Sequence, residues 1–281
     1  ESTRLIVFCD EYWSLPREKT EKFLQMYKEH IHKEFFAYFA YEQMVQYPEL
    51  LELAIDAGLV RTGIGFQTGS ADLLQRCYAR QPHYPLLLAY AQRLFENFIT
   101  FNAQFIGGNC YETWEDFEET CAIIRQLPVS PEDPEATIIT NFRLRPHPKS
   151  PIITAWPRVV TDPMPADQWY FRAILMQYCR FFAQEEFADI VAPFMPAARQ
   201  NGIPITCHAE LESTLRTKLK EKQVAHYRNL VQNTAGNSWV YYGAGDCYAK
   251  NREFFADLMP QSICVDRAYL PSVSHLDGIP V

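Results

Sequence analysis

An α/β protein built on a parallel sheet is what the sequence predicts, and three observations predict it. Apolar runs along residues 4–146 alternate with segments of about ten to fifteen residues whose apolar positions recur at helical spacing. Proline and glycine punctuate the joints, as at Pro16, Gly58 and Pro82. The 281 residues are 48% hydrophobic and 14% aromatic, enough to bury a real core.

Taken in order, "RLIVFCDEYW" (4–13) reads as a buried strand whose C-terminal tip turns polar. "PREKTEKFLQMYKEHI" follows as a helix, with Pro16 near its start and Phe23, Leu24, Tyr27 and Ile31 on one face. "EFFAYFAYEQ" is the next strand, and "PELLELAIDAG" a helix closed by Gly58 where a left-handed residue suits the C-terminus. "VRTGIGFQTGS" is strand and turn, "ADLLQRCYAR" a helix that Pro82 interrupts, and "PLLLAYAQRLFEN" a further helix. The same alternation gives strand 98–108, helix 113–127 and strand 135–146. These βαβ units make five strands before residue 150, too few for a closed eight-stranded barrel.

From residue 147 a proline-rich connector leads to long helical stretches at 166–200 and 208–233. "NSWVYYGAGDCYAKNREFFADL" (237–258) and "SICVDRAYL" then read as the start of a Rossmann-like unit that the end of the chain cuts short. Within it "GAGDCY" matches the first half of GxGxxG, with Asp266 about twenty residues downstream. It is either a nucleotide-binding turn or a tight strand-to-helix turn. The expected organisation is residues 1–150 as sheet domain, 151–235 as helical region and connector, and 236–281 as the truncated unit.

The net charge of −8 argues against broad attraction to nucleic acid or an anionic membrane, and the basic strip at 213–228 reads as a solvated helix face. No transmembrane run or signal-peptide pattern occurs, so the expected location is cytoplasmic. Eight cysteines stand no closer than eleven residues apart, without metal-knuckle spacing, and read as reduced core filler. His147 and His208 lack partners at metal-ligand spacing, and no metal ligand is assigned. Neither GxSxG nor a Cys–His pairing supports a hydrolase.

The strand ends carry a resemblance. "FCDEYW", "GIGFQTGS", "FIGGNCYETWEDFEET" and "FRLRPHPKSP" occur in the order found in radical S-adenosylmethionine (SAM) enzymes, in the branch that often follows a cobalamin-binding domain. The resemblance covers residues 4 to about 150 and implies a partial (βα)6 TIM-like barrel, from its second to its sixth strand. Asp10 and Glu11 match the acidic pair facing the amino group of SAM, as a carboxylate suits an ammonium. Gln67, Thr68, Gly69 and Ser70 match the turn that meets ribose and carboxylate, Phe105, Ile106, Gly107 and Gly108 flank adenine, and Arg143 and Arg145 face the cleft. Cys110 and Tyr111 depart from the family's Pro and Gly.

The resemblance further implies SAM and a four-iron, four-sulfur cluster as cofactors, with cobalamin possible in a longer protein, and a small-molecule substrate. The CxxxCxxC motif that holds such a cluster is missing. The chain therefore reads as a fragment whose cluster ligands and first strand lie upstream in a parent polypeptide, and as inactive by itself. The alternative is a cluster-less, non-catalytic scaffold or nucleotide-binding module. By themselves Asp10 and Glu11 also suit helix capping, Gly63, Gly65 and Gly69 turn geometry, and Glu112 a loop anchored through backbone amides. No catalytic residue for the substrate is assigned.

Overall fold

Leu59–Gln67, the apolar run that ends in a polar turn, is the central strand of a five-stranded sheet in which every neighbouring pair is parallel. The computed structural model describes residues 5–9, 15–129, 137–198, 203–233, 240–242, 262–264, 275–276 and 279–280. Strands β1 (Leu5–Val7), β2 (Glu34–Tyr38), β3 (Leu59–Gln67), β4 (Thr100–Gly107) and β5 (Thr137–Arg143) lie side by side in chain order. A doubly wound sheet reverses its order at a switch point. Consecutive order without reversal is the topology of a barrel wall, so the α/β fold is that of a partial TIM-like barrel.

Between strands run α1 (Arg17–His30), α2 (Tyr41–Gln46), α3 (Glu49–Asp56), α4 (Ala71–Tyr78), α5 (Tyr84–Glu96) and α6 (Trp114–Gln126). The second strand is shorter than its apolar pattern suggests, because residues 41–46 form a helix. Tyr41, Gln43 and Met44 are buried there, and the Gln43 amide donates to the Leu15 carbonyl (2.8 Å) and Thr20 Oγ1 (3.2 Å). Those tertiary contacts outweigh the aromatic, strand-like composition of the segment. Gly58 takes φ +106° beyond the end of α3, the conformation for which glycine suits a helix terminus.

The core lies between sheet and helices. Phe35, Phe66, Phe101 and Phe105 are almost completely buried there, and the rings of Phe66 and Phe105 stack at 5.3 Å between centroids. Beyond β5 the proline-rich connector carries two short helices, α7 (Pro151–Ala155) and α8 (Arg158–Thr161), each begun at or just after a proline. Then come α9 (Ala166–Tyr178), α10 (Gln184–Val191), α11 (Met195–Ala198) and α12 (Ile205–Asn233). Helix α9 packs on β4, β5 and α6. His208 is buried, with Nε2 3.0 Å from the Asp167 carbonyl, whereas His147 is exposed, its Nδ1 accepting from the Lys149 amide (3.4 Å).

The chain divides into two compact units, 1–215 and 216–281. In the second, β6 (Val240–Tyr242) pairs in parallel with β7 (Ser262–Cys264), and β8 (His275–Leu276) pairs antiparallel with β9 (Ile279–Pro280). The "GAGDCY" turn and Asp266 lie outside the described residues. No helix among the described residues is long and apolar enough to cross a membrane.

Glu112, in the loop between β4 and α6, is fastened to α9 by a buried ion pair with Arg172 (2.6 Å). Arg172 also lies over the rings of Trp114 (5.1 Å) and Phe117 (5.2 Å). The loop is thus held by a guanidinium, where the sequence suggests backbone amides. Burial pushes the Glu112 carboxyl up to about 7, outweighing the pull of Arg172. Between its ordinary 4.5 and 7 the folded chain holds a proton that the unfolded chain has released. The stability this group contributes is therefore full below pH 4.5 and falls as pH rises to 7, by about 3 kcal/mol. Urea unfolding of the wild type and Glu112→Gln across this range is expected to give a difference between the two that changes with that sign and flattens above pH 7.

Candidate functional site

Strand side chains alternate between faces, and on β3 the alternation sets up a cleft. Thr62, Ile64 and Phe66 are buried against the helices, while Gly63, Gly65 and Gln67 belong to the opposite face. There they line a cleft of about 330 Å³ together with Tyr38 at the end of β2, Gln104 of β4, and Tyr41, Glu42 and Arg80. Its place at the C-terminal ends of consecutive parallel strands is where α/β proteins bind ligands.

The two glycines of β3 let neighbouring side chains lie directly on the strand. A Cβ at Gly63 would stand 2.5 Å from Cε1 of Tyr38, and one at Gly65 would collide with Nε2 of Gln67. The Tyr38 ring and the Gln67 amide thus lie against the strand in the space a Cβ would need. On one wall Arg80 pairs with Glu42 (2.9 Å) and lies over the Tyr41 ring (5.2 Å). Tyr41 is itself fixed, its hydroxyl donating to the Gln81 carbonyl (2.5 Å) and accepting from the His83 amide (3.2 Å). The cleft therefore offers the Tyr38 ring, the amides of Gln67 and Gln104, and one guanidinium whose partner, Glu42, is largely exposed.

At Gln67 the strand ends abruptly. The pairing of β3 with β4 slips between Gly65 and Gln67, Gln67 takes φ +68°, and the Thr68 amide donates back to the Phe66 carbonyl (2.9 Å). Together these make a β-bulge closing in a three-residue γ-turn, a conformation that a non-glycine residue holds under strain. Thr68 and Ser70 are each only 1% exposed, and their hydroxyls serve the chain itself. Thr68 Oγ1 is 3.1 Å from Thr120 Oγ1 and accepts from the Ser70 amide (3.1 Å), while the Gly69 amide donates to Thr120 Oγ1 (2.9 Å). Ser70 Oγ donates to Asp116 (2.5 Å) and accepts from the Leu73 amide (3.3 Å), which caps α4. Asp116 also completes the capping box of α6 with Thr113. Burial would push its carboxyl up, but the bonds from Ser70 and Thr113 outweigh it and hold Asp116 below its ordinary value.

Of the turn residues singled out in the sequence, Gln67 is the one whose side chain is brought to the cleft. Phe105 is in the core on the helix side, and Ile106 is half-buried on the cleft face, two residues beyond Gln104. Gly107 and Gly108 are pressed against Asn141, Arg143 and Trp169. Arg143 donates to the Met164 carbonyl (3.0 Å), and Arg145 is exposed. Asp10 and Glu11 lie outside the described residues. Tyr38, Tyr41, Glu42, Arg80 and Gln104 escaped the sequence reading. Gln104 carries a legible signal, a polar residue inside the apolar strand "FNAQFI"; Tyr38 ends a strand that reads as core, Tyr41 and Glu42 open a helix read as strand, and Arg80 follows the end of α4.

Two substitutions separate packing from strain in the turn. A Cβ at Gly69 would strike the backbone of Thr120, so Gly69→Ala is expected to cost about 1–3 kcal/mol in thermal unfolding. Gln67→Gly removes the unfavourable φ and is expected to raise stability by about 1 kcal/mol in the same measurement.

No family model matches the sequence, and no curated protein matches it. Among solved structures, coproporphyrinogen III oxidase (HemN) from Escherichia coli, described as a radical SAM enzyme, is similar at a TM-score of 0.42 and 16% identity. The similarity covers 64% of this chain and 37% of that one, so the chain spans well under half the length of this neighbour.

Proposed function

We propose that the cleft on β2, β3 and β4 binds SAM, and that this chain is the SAM-holding part of a radical SAM enzyme. One observation carries the reading: a cleft at the C-terminal end of a parallel sheet that gathers Tyr38, Gln67, Gln104 and Arg80, an aromatic, two amides and a guanidinium suited to a nucleoside carrying a carboxylate. The rest of the lining supports it chemically. The Gln67 and Gln104 amides each donate and accept, as the vicinal hydroxyls of a ribose require. Tyr38 offers an aromatic ring, and the Arg80 guanidinium suits a carboxylate that displaces Glu42.

In the family that the strand-end motifs resemble, SAM held at a four-iron cluster supplies hydrogen-abstracting chemistry. Among the described residues no three His, Cys, Asp or Glu side chains come together as a metal site. These residues do not fit the cluster, and no step through it is derived for them. The proposed work of this chain is to seat the nucleoside in the cleft, orient its ribose through Gln67 and Gln104, and hold its carboxylate with Arg80. Cluster ligands, substrate and any cobalamin belong, in this reading, to the rest of the parent polypeptide.

Isothermal titration of the chain with SAM, S-adenosylhomocysteine, adenosine and methionine tests the assignment. SAM and S-adenosylhomocysteine are expected to bind, Gly65→Val to abolish binding, and Arg80→Ala to weaken SAM about tenfold while leaving adenosine unchanged. A folded chain that binds none of the four overturns the reading and leaves a scaffold.

A further inference from the structure

We infer that Thr120 of α6 is a positioning residue for the cleft, acting through the buried turn to hold Gln67 in the conformation that presents its amide. The inference rests on the reading of the cleft as a SAM site for its consequence in binding, but its geometric content stands on the chain alone. Gln67 has φ +68° at the centre of a γ-turn, which an L-residue does not keep unless its surroundings enforce it.

Thr120 is where the enforcing bonds meet. The residue is 2% exposed, and its hydroxyl pairs with Thr68 Oγ1 (3.1 Å), accepts from the Gly69 amide (2.9 Å) and donates to the Asp116 carbonyl (3.0 Å). Gly69 packs directly on the Thr120 backbone, too closely for a Cβ. From above, Tyr84 donates to the Thr68 carbonyl (3.1 Å). The residues after Gln67 are therefore held from both α5 and α6, and the β-bulge lies immediately before it. Thr120 does not line the cleft, so what it contributes to ligand binding passes through the turn.

The test compares Thr120→Val, which keeps the shape and removes the hydroxyl, with Thr120→Ser, which keeps the hydroxyl, and reads both the turn and the ligand. A residue with positive φ shows a strong intraresidue amide-to-Hα NOE. That signal at Gln67 is expected in the wild type and Thr120→Ser and lost in Thr120→Val. SAM binding is expected to weaken about tenfold in Thr120→Val, to recover in Thr120→Ser, and to be no weaker in Gln67→Ala/Thr120→Val than in Gln67→Ala. A Thr120→Val chain that keeps the NOE at Gln67, or losses that add in the double variant, overturns the inference. If the wild type binds no SAM, the proposed function fails while the NOE comparison still decides the role of Thr120. Should Thr120→Val fail to fold, Thr68→Val removes the same bond from its other end and faces the same two readouts.

Discussion

The two-residue period of the central strand is the constraint on which the rest depends. Because β3 sends Thr62, Ile64 and Phe66 to one face and Gly63, Gly65 and Gln67 to the other, one segment supplies both core and cleft. A register slip of one residue would exchange them, burying the glycines and exposing Phe66. The buried side resists that exchange. Phe35, Phe66, Phe101 and Phe105 are each below 2% exposure, and fully burying a phenylalanine contributes about 1.5–3 kcal/mol.

The cleft side contributes little to stability. Glycine in a strand weakens it by forgoing side-chain packing, and Gln67 adds backbone strain. The polar bonds between the end of β3 and α6 offset that cost where it arises. They are buried and mutually satisfied, the condition under which polar groups inside a protein specify geometry without penalty. Surface ion pairs such as Lys28 with Asp56 do no comparable work, since both partners are more than half exposed and exposed pairs contribute about 0–1 kcal/mol.

Helix α6 links the ends of two strands. At its start, Glu112 and Thr113 follow the loop from β4, and Arg172 fastens that loop to α9. Along the first turns, Asp116 and Thr120 receive the loop that leaves β3. One helix thus sets the conformation of both loops, and a shift of α6 would be felt at Gln67 without any change in the cleft lining. Burial pushes the Glu112 carboxyl up to about 7, which makes that arrangement sensitive to pH at the N-terminal end of α6.

The sequence by itself determined the alternation of strands and helices, the parallel sheet and the polar turn at residues 65–70, because these follow from local periodicity and from glycine and proline at the joints. It did not determine which way the turn residues face. Thr68 and Ser70 look like ligand groups in one dimension, yet Thr120 and Asp116, about fifty residues downstream, take up their hydroxyls. Arg80, Tyr41 and Gln104 reach the cleft from three separate segments, a convergence that pairing and packing decide and no local pattern records. Residues 41–43 show the same limit: continuous with a strand in the sequence, they open a helix in which Met44 is buried and Gln43 reaches Leu15 and Thr20. Hydrogen bonds and packing at long sequence separation made those choices, and they exist only once the chain has folded.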